Sequence, residues 1–229
     1  MCTDKIIKNL LMPLLLASCL SAPVYSAESV RVVAGEKGKD RAAGFKFTRH
    51  SIADRSKADL SIRPIIKYQQ NIHMLATVDD RPTFQVFGDG RVLVHYPVYM
   101  KRAGDYEMQL DETELVDLLH SLSDNGVLDF DAEKHAKERK DEKKALKAKG
   151  QFFAISDTVE TTVEIRLDEY QKNNSSTKIS NFYKKFQWDN LEQDAKYYKK
   201  IKALEKSNQS VVNIRELMKD ARLIKKDKP

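Results

Sequence analysis

At 229 residues the chain is long enough to bury a core of its own, as one large domain or two small ones. Its net charge of +6 is uneven: residues 184–229 hold 13 Lys/Arg against 7 Asp/Glu, while the remainder balances at 27 against 27. Only two cysteines occur, Cys2 and Cys19, both in the first stretch. A disulfide framework is therefore excluded for everything that follows them, and stability must come from apolar burial.

The N-terminus has the composition of an export signal. Lys5 and Lys8 form a charged n-region, Leu10 to Leu20 an apolar h-region and Ser21 to Ala27 a small-residue c-region. The h-region is too short to span a bilayer, and no later apolar run is long enough. Two processing routes fit. Cleavage after Ser26 or Ala27 would release a soluble protein, with residues 1–26 as signal peptide. Alternatively, Leu16-Ala17-Ser18-Cys19 has the form of a lipobox, which would remove residues 1–18 and make Cys19 a lipid-bearing N-terminus.

Residues 27–60 contain few large apolar side chains and read as a flexible tether, within which Val30 to Val33 could pair as a short strand. The folded domain is expected over 61–225. Ile62 to Met74 supplies its first strand, and Val78 to Pro82 a turn. In Pro82 to Tyr96 two apolar-alternating strands flank Gly88-Asp89-Gly90. A two-residue loop would put apolar groups on both faces. A three-residue loop pairs Val86 with Val92 and Phe84 with Val94, giving one apolar face, and sets Gly90 at a left-handed position. Tyr106 to Leu110 adds a strand.

Asp111 and Glu114 are spaced as a capping box ahead of the Leu115, Leu118, Leu119, Leu122 stripe, and Asn125-Gly126 supplies the stop. Residues 131–149 carry 8 Lys/Arg and 5 Asp/Glu, with Leu146 the one large apolar residue, so they read as a helical arm polar all round. Val159 to Leu167 alternates strictly, as a half-buried strand does, and Thr177 to Phe182 returns as its partner. Asp189 with Glu192 opens a helix striped by Leu191, Ala195, Tyr198, Ile201 and Leu204. Ser207-Asn208 breaks it, and a last helix runs into a frayed tail from Lys225. The fold class is α+β, with an antiparallel sheet of about 5–6 strands, helices packed on one face and a charged helical arm.

Two stretches resemble families of uncharacterised exported bacterial proteins. One is PTFQVFGDGRVLV at 82–94, with its Gly-Asp-Gly turn. The other is ISDTVETTVEIRL at 155–167, with its Asp before a Thr-Thr strand. Phe87 stands where that pattern has Tyr, and the arm at 131–149 looks like an insertion. The resemblance implies a fold and an exported address, and brings no activity or site residue.

No residue pattern in the sequence points to a reactive centre. His50, His73, His95, His120 and His135 are scattered; His73 and His95 could meet across strands near Asp79 or Asp80, but strand histidines without metal are the default, and neither metal nor cofactor is expected. There is no nucleophile elbow and no phosphate-binding glycine loop. Asp79-Asp80 and Asp129 with Asp131 sit in turns, where Asp is favoured for backbone reasons. Lys196, Lys199, Lys200, Lys202 and Lys206, interleaved with Tyr197 and Tyr198, are the candidate anion- or surface-binding residues. Export argues against nucleic acid as a partner. The reading is a non-enzymatic cell-envelope domain binding a macromolecule or anionic surface through its polar sheet face or charged arm. A protease-inhibitor-like protein and a hydrolase with an unrecognised site are the alternatives.

Overall fold

A computed structural model describes residues 28–32 (backbone only), 43–49, 63–72, 81–151 and 158–226. Residues 1–27 with Cys19, and His50, His73, Asp79 and Asp80, lie outside the described residues.

In chain order the elements are β1 (Glu28–Val32), β2 (Gly44–Arg49), β3 (Ile66–Ile72), β4 (Thr83–Val86), β5 (Arg91–Tyr96), β6 (Gly104–Gln109), α1 (Glu112–Asp124), α2 (Ala132–Ala148), β7 (Val159–Gln171), β8 (Lys178–Asp189), α3 (Leu191–Tyr197), α4 (Lys202–Leu217) and β9 (Ile224–Lys225). All described strand pairings are antiparallel. The α+β class stands, and the described residues alone give a nine-stranded sheet, wider than the one expected.

The central hairpin has the register its side chains select. Phe84 pairs with Val94 and Val86 with Val92. Gly90 closes the turn at φ +83°, its N–H donating to the Phe87 carbonyl at 2.9 Å. This tip does not protrude. A Cβ on Gly88 would lie 2.0 Å from the Thr48 carbonyl oxygen, and one on Gly90 2.3 Å from that of Leu110. Only glycine lets the backbone of β2 and the β6–α1 junction approach so closely.

Thr48 belongs to a segment that the sequence places in the tether. That boundary needs correction: Ala43, Phe45 and Phe47 are 0–2% exposed and belong to the core. The low apolar density of 27–60 hides a strand whose few aromatic residues all point inward.

β7 organises the sheet. One of its edges carries β8 along most of its length. The other carries β3 over Val159–Ile165 and then β2 over Glu169–Gln171, so the sheet forks. The fork changes the parity of burial. Thr161, Val163, Ile165 and Leu167 face the core, and then Tyr170 does. Opposite this switch Asn181 takes a left-handed φ of 51°, a region Asn tolerates better than most residues. The second half of β7 thereby turns Tyr170 onto Phe45, their rings stacked at 6.0 Å. Alternation read as far as Leu167 could not show that both strands continue beyond it.

Leu115, Leu119 and Leu122 of α1 and Leu204, Val211 and Ile214 of α4 roof the inward sheet residues in one apolar cluster. Asp111 and Glu114 form the reciprocal capping box. The Gly126 N–H donates to Ser123 and the Val127 N–H to Leu122, a left-handed helix stop with Gly126 at φ +74°. The helix break near Ser207-Asn208 is a second correction. The chain bends at Tyr198–Ile201 instead, and α4 runs through Ser207, which is 0% exposed. Tyr198, Ile201 and Leu204 are all buried, and a tight turn satisfies that as well as helical spacing does. The tail is corrected as well, since Ile224 and Lys225 pair with β6.

The charged arm is α2, with Asp131 as its N-cap and no residue buried. It is nonetheless docked. The Arg139 Nη1 donates to Asp194 Oδ2 at 2.8 Å, and its guanidinium lies 4.9 Å from the Trp188 ring centre. The His135 ring lies 4.8 Å from that of Phe130.

Candidate functional site

Helices cover one face of the sheet, and alternation sends every second strand residue to the other. The pairing register arranges those outward residues in rows across the strands. One row runs Asp105, His95, Thr83, Gln69, Thr162, Gln187. The next runs Glu107, Leu93, Gln85, Lys67, Glu164, Lys185. Each crosses β6, β5, β4, β3, β7 and β8, a width of about 24 Å at the usual interstrand spacing. Amides and hydroxyls dominate the first row. Charges alternate in sign along the second, so the face has no strong field of either sign.

Local pairs hold these side chains in place. Gln187 Nε2 donates to Glu160 Oε2 at 2.6 Å. Arg166 Nη2 donates to Glu164 Oε2 at 2.9 Å while its guanidinium stacks 4.4 Å from the Tyr183 ring centre. Tyr183 is half exposed, at 49%. His95 Nδ1 shares a 2.6 Å hydrogen bond with an Asp105 carboxylate oxygen. Chemically this is a surface of pre-placed hydrogen-bond donors and acceptors.

The proposed meeting of His95 with His73 and Asp79 or Asp80 involves residues outside those described; His95 itself lies on the outward face beside Asp105. Among the described residues no group of three or more His, Cys, Asp or Glu gathers as a metal site. His120 packs edge-on against Phe45 at 5.0 Å, and His135 Nδ1 lies 2.7 Å from Glu138 Oε2.

The five candidate lysines come together only in part. Lys196 ends α3, Lys199 and Lys200 occupy the turn, and Lys202 and Lys206 open α4; all are exposed. Of the two tyrosines interleaved with them, one leaves the array on folding. Tyr198 is 6% exposed, and its phenol pKa is raised, chiefly by burial. Lys196 Nζ sits 5.8 Å from the Tyr197 ring centre, and Lys202 Nζ bonds Glu205 at 3.0 Å. Hydrogen bonding from Lys202, together with its charge and that of Lys199, holds the Glu205 carboxyl below its usual pKa. Lys200 and Lys202 line an open groove of about 610 Å³ against α2, whose far wall is His135, Glu138, Asp141 and Glu142. Carboxylates thus face the lysines, which suits an anion poorly.

The outward rows escaped sequence reading because their members come from strands far apart in the chain. Alternation showed which residues share a strand face, and pairing alone says which become neighbours. The exposed run Val98-Tyr99-Met100, between β5 and β6, also escaped, since it lies just beyond the alternating stretch that marks the hairpin.

No family model matches this chain, and no curated protein or solved structure matches it at the required significance.

Proposed function

We propose that the chain is a non-enzymatic binding domain of the cell envelope, whose outward sheet face holds an extended, largely uncharged polymer through hydrogen bonds. The observation that carries this reading is the pair of six-strand rows of amide, hydroxyl and alternating charged groups. A hydrogen-bonding strand such as a polysaccharide suits them better than a polyanion does, because Lys67, Lys185 and Arg166 are set against Glu107, Glu164 and Glu160. The export signal read in residues 1–26 supports the address, and the resemblance of 82–94 and 155–167 to exported families points the same way. The arm is the weaker surface for this purpose, since Arg139 is engaged with α3 and β8 and His135 packs on Phe130.

Co-sedimentation with isolated envelope polymers tests the reading. Gln69→Ala with Gln85→Ala, and separately Thr162→Arg, should abolish pelleting without lowering Tm, while Lys206→Glu should leave it intact. If the parent protein fails to pellet, or Lys206→Glu matters and the sheet variants do not, the sheet face is not the binding surface. The anchor is tested separately: Cys19→Ala moves the protein from the membrane to the soluble fraction if the lipobox is used, and unchanged fractionation assigns the simple signal peptide.

A further inference from the structure

The β5–β6 connection is the most apolar exposed feature of the described surface. Two successive turns, closed by Met100 N–H to Pro97 O at 2.9 Å and Ala103 N–H to Met100 O at 3.1 Å, hold up Val98, Tyr99 and Met100. These are 84%, 47% and 37% exposed. Apolar side chains this exposed on an ordered loop mark a surface suited to burial against a partner.

What surrounds them identifies the partner. Lys101 and Arg102 follow directly in sequence, and both are exposed. The β9 strand brings more cations to the same end of the sheet. The Lys225 stem lies over Gly104, and the Lys226 N–H donates to the Asp105 carbonyl at 2.8 Å. The Tyr96 hydroxyl donates to the Met218 carbonyl, which sets Lys219 beside the same end. Arg102 stacks on the Tyr106 ring at 5.0 Å, so its charge is held at the collar. Glu107 pairs with Lys226 at 3.5 Å and Glu216 with Lys219 at 2.9 Å, which cancels two of these cations and leaves Lys101, Arg102 and Lys225 against Asp105, itself bonded to His95 at 2.6 Å. An apolar tip inside a basic collar matches a lipid surface, with acyl chains for Val98 and Met100, the headgroup zone for Tyr99 and anionic phosphates for the cations.

We infer that Val98-Tyr99-Met100, collared by Lys101, Arg102 and Lys225, is a membrane-docking tip that inserts into an anionic bilayer surface. This is independent of the sheet-face reading, and of the lysine turn at the opposite end of α4. If Cys19 carries lipid, the tip is a second contact between protein and membrane, far along the chain from the first.

Flotation with phosphatidylglycerol-containing vesicles, against vesicles of phosphatidylcholine alone, tests it on the full chain. Any contribution of residues 1–26 is common to parent and variants. Val98→Asp with Met100→Asp should weaken binding to anionic vesicles by about tenfold or more, since each removes an inserted apolar group. Lys101→Glu with Lys225→Glu should do likewise, and should remove the preference for anionic lipid and its loss at high salt. Tyr99→Trp should show a blue-shifted emission on adding anionic vesicles. Equal flotation of parent and tip variants overturns the inference. So does tip-dependent self-association in sedimentation without vesicle binding, which would make a second copy of the chain the occupant. Sheet-face variants should float as the parent does, so that failure of either proposal is seen separately.

Discussion

Replacing Arg139 by alanine should destabilise the protein by about 2 kcal/mol, a loss that a freely solvated arm could not produce. Asp194 Oδ2 accepts both the Arg139 guanidinium at 2.8 Å and the Trp188 indole N–H at 2.7 Å. The Asp194 side chain is 5% exposed and that of Arg139 is 35%. Stripping the partner from a buried charge costs about 3–5 kcal/mol when nothing replaces it. Here the exposed flank of Arg139 lets water take its place, which lowers the figure to about 2 kcal/mol. Asp194→Ala should cost more, about 3 kcal/mol, because it also orphans the buried indole N–H. Asp194→Asn keeps an acceptor and should cost about 1 kcal/mol. The double variant should fall short of the sum by about 1 kcal/mol or more, since the two groups share one contact. Replacing 131–149 by a short linker adds the uncovering of Phe130 and Trp188, for about 4 kcal/mol in all at roughly 25 cal/mol per Å². A solvated arm would cost about 1 kcal/mol. The assay is urea unfolding followed by far-UV circular dichroism and by the fluorescence of Trp188, the one tryptophan in the sequence. If Arg139→Ala and the arm deletion both stay within about 0.5 kcal/mol of the parent, α2 is not docked and the reasoning fails.

Two glycine substitutions should separate crowding from backbone strain. Gly90→Ala meets the Leu110 carbonyl at 2.3 Å as well as a positive φ, and should cost about 3 kcal/mol, whereas Gly126→Ala, with nothing within 4 Å, should cost about 1 kcal/mol; equal losses in urea unfolding would refute the close packing of the hairpin tip. Phe47→Ala should cost about 3–5 kcal/mol by the same assay, because the side chain is fully enclosed; a neutral result would return 43–49 to the tether. Tyr68, Tyr96, Tyr170 and Tyr198 all have phenol pKa values raised above 10.0, chiefly by burial. A raised folded-state pKa means their contribution is fully present below the unfolded value and is lost as pH climbs past it. Tm should therefore be insensitive to these groups up to about pH 10 and fall above it, with phenolate absorbance appearing as the protein unfolds. Ionisation of all tyrosines near pH 10 without loss of structure would contradict their burial.

Much of the fold was legible because it is written in local chemistry. Asp111 with Glu114, Asn125-Gly126 and the Gly-Asp-Gly turn act within a few residues of themselves, and the patterning of 84–94 permits only one register with a single apolar face. The misreadings share a cause. Phe45 and Phe47 looked like isolated residues in a polar stretch, and what makes them core is β7, more than a hundred positions away. The helix break fell at Tyr198–Ile201 because several backbone paths bury the same apolar residues. Tyr198 belonged both to an apolar stripe and to a run of lysines, and folding decided for the stripe.

By itself, then, the amino-acid order specified the α+β class, the capped start and glycine stop of α1, the hairpin register and a polar arm, since each follows from spacing along the chain. The fork in β7, the docking of Arg139 on Asp194 and Trp188, the six-strand polar rows and the collared apolar tip came only with tertiary structure. Each joins residues from separate elements, and what brings such residues together is the pairing of strands and the closing of a core, which no local pattern encodes.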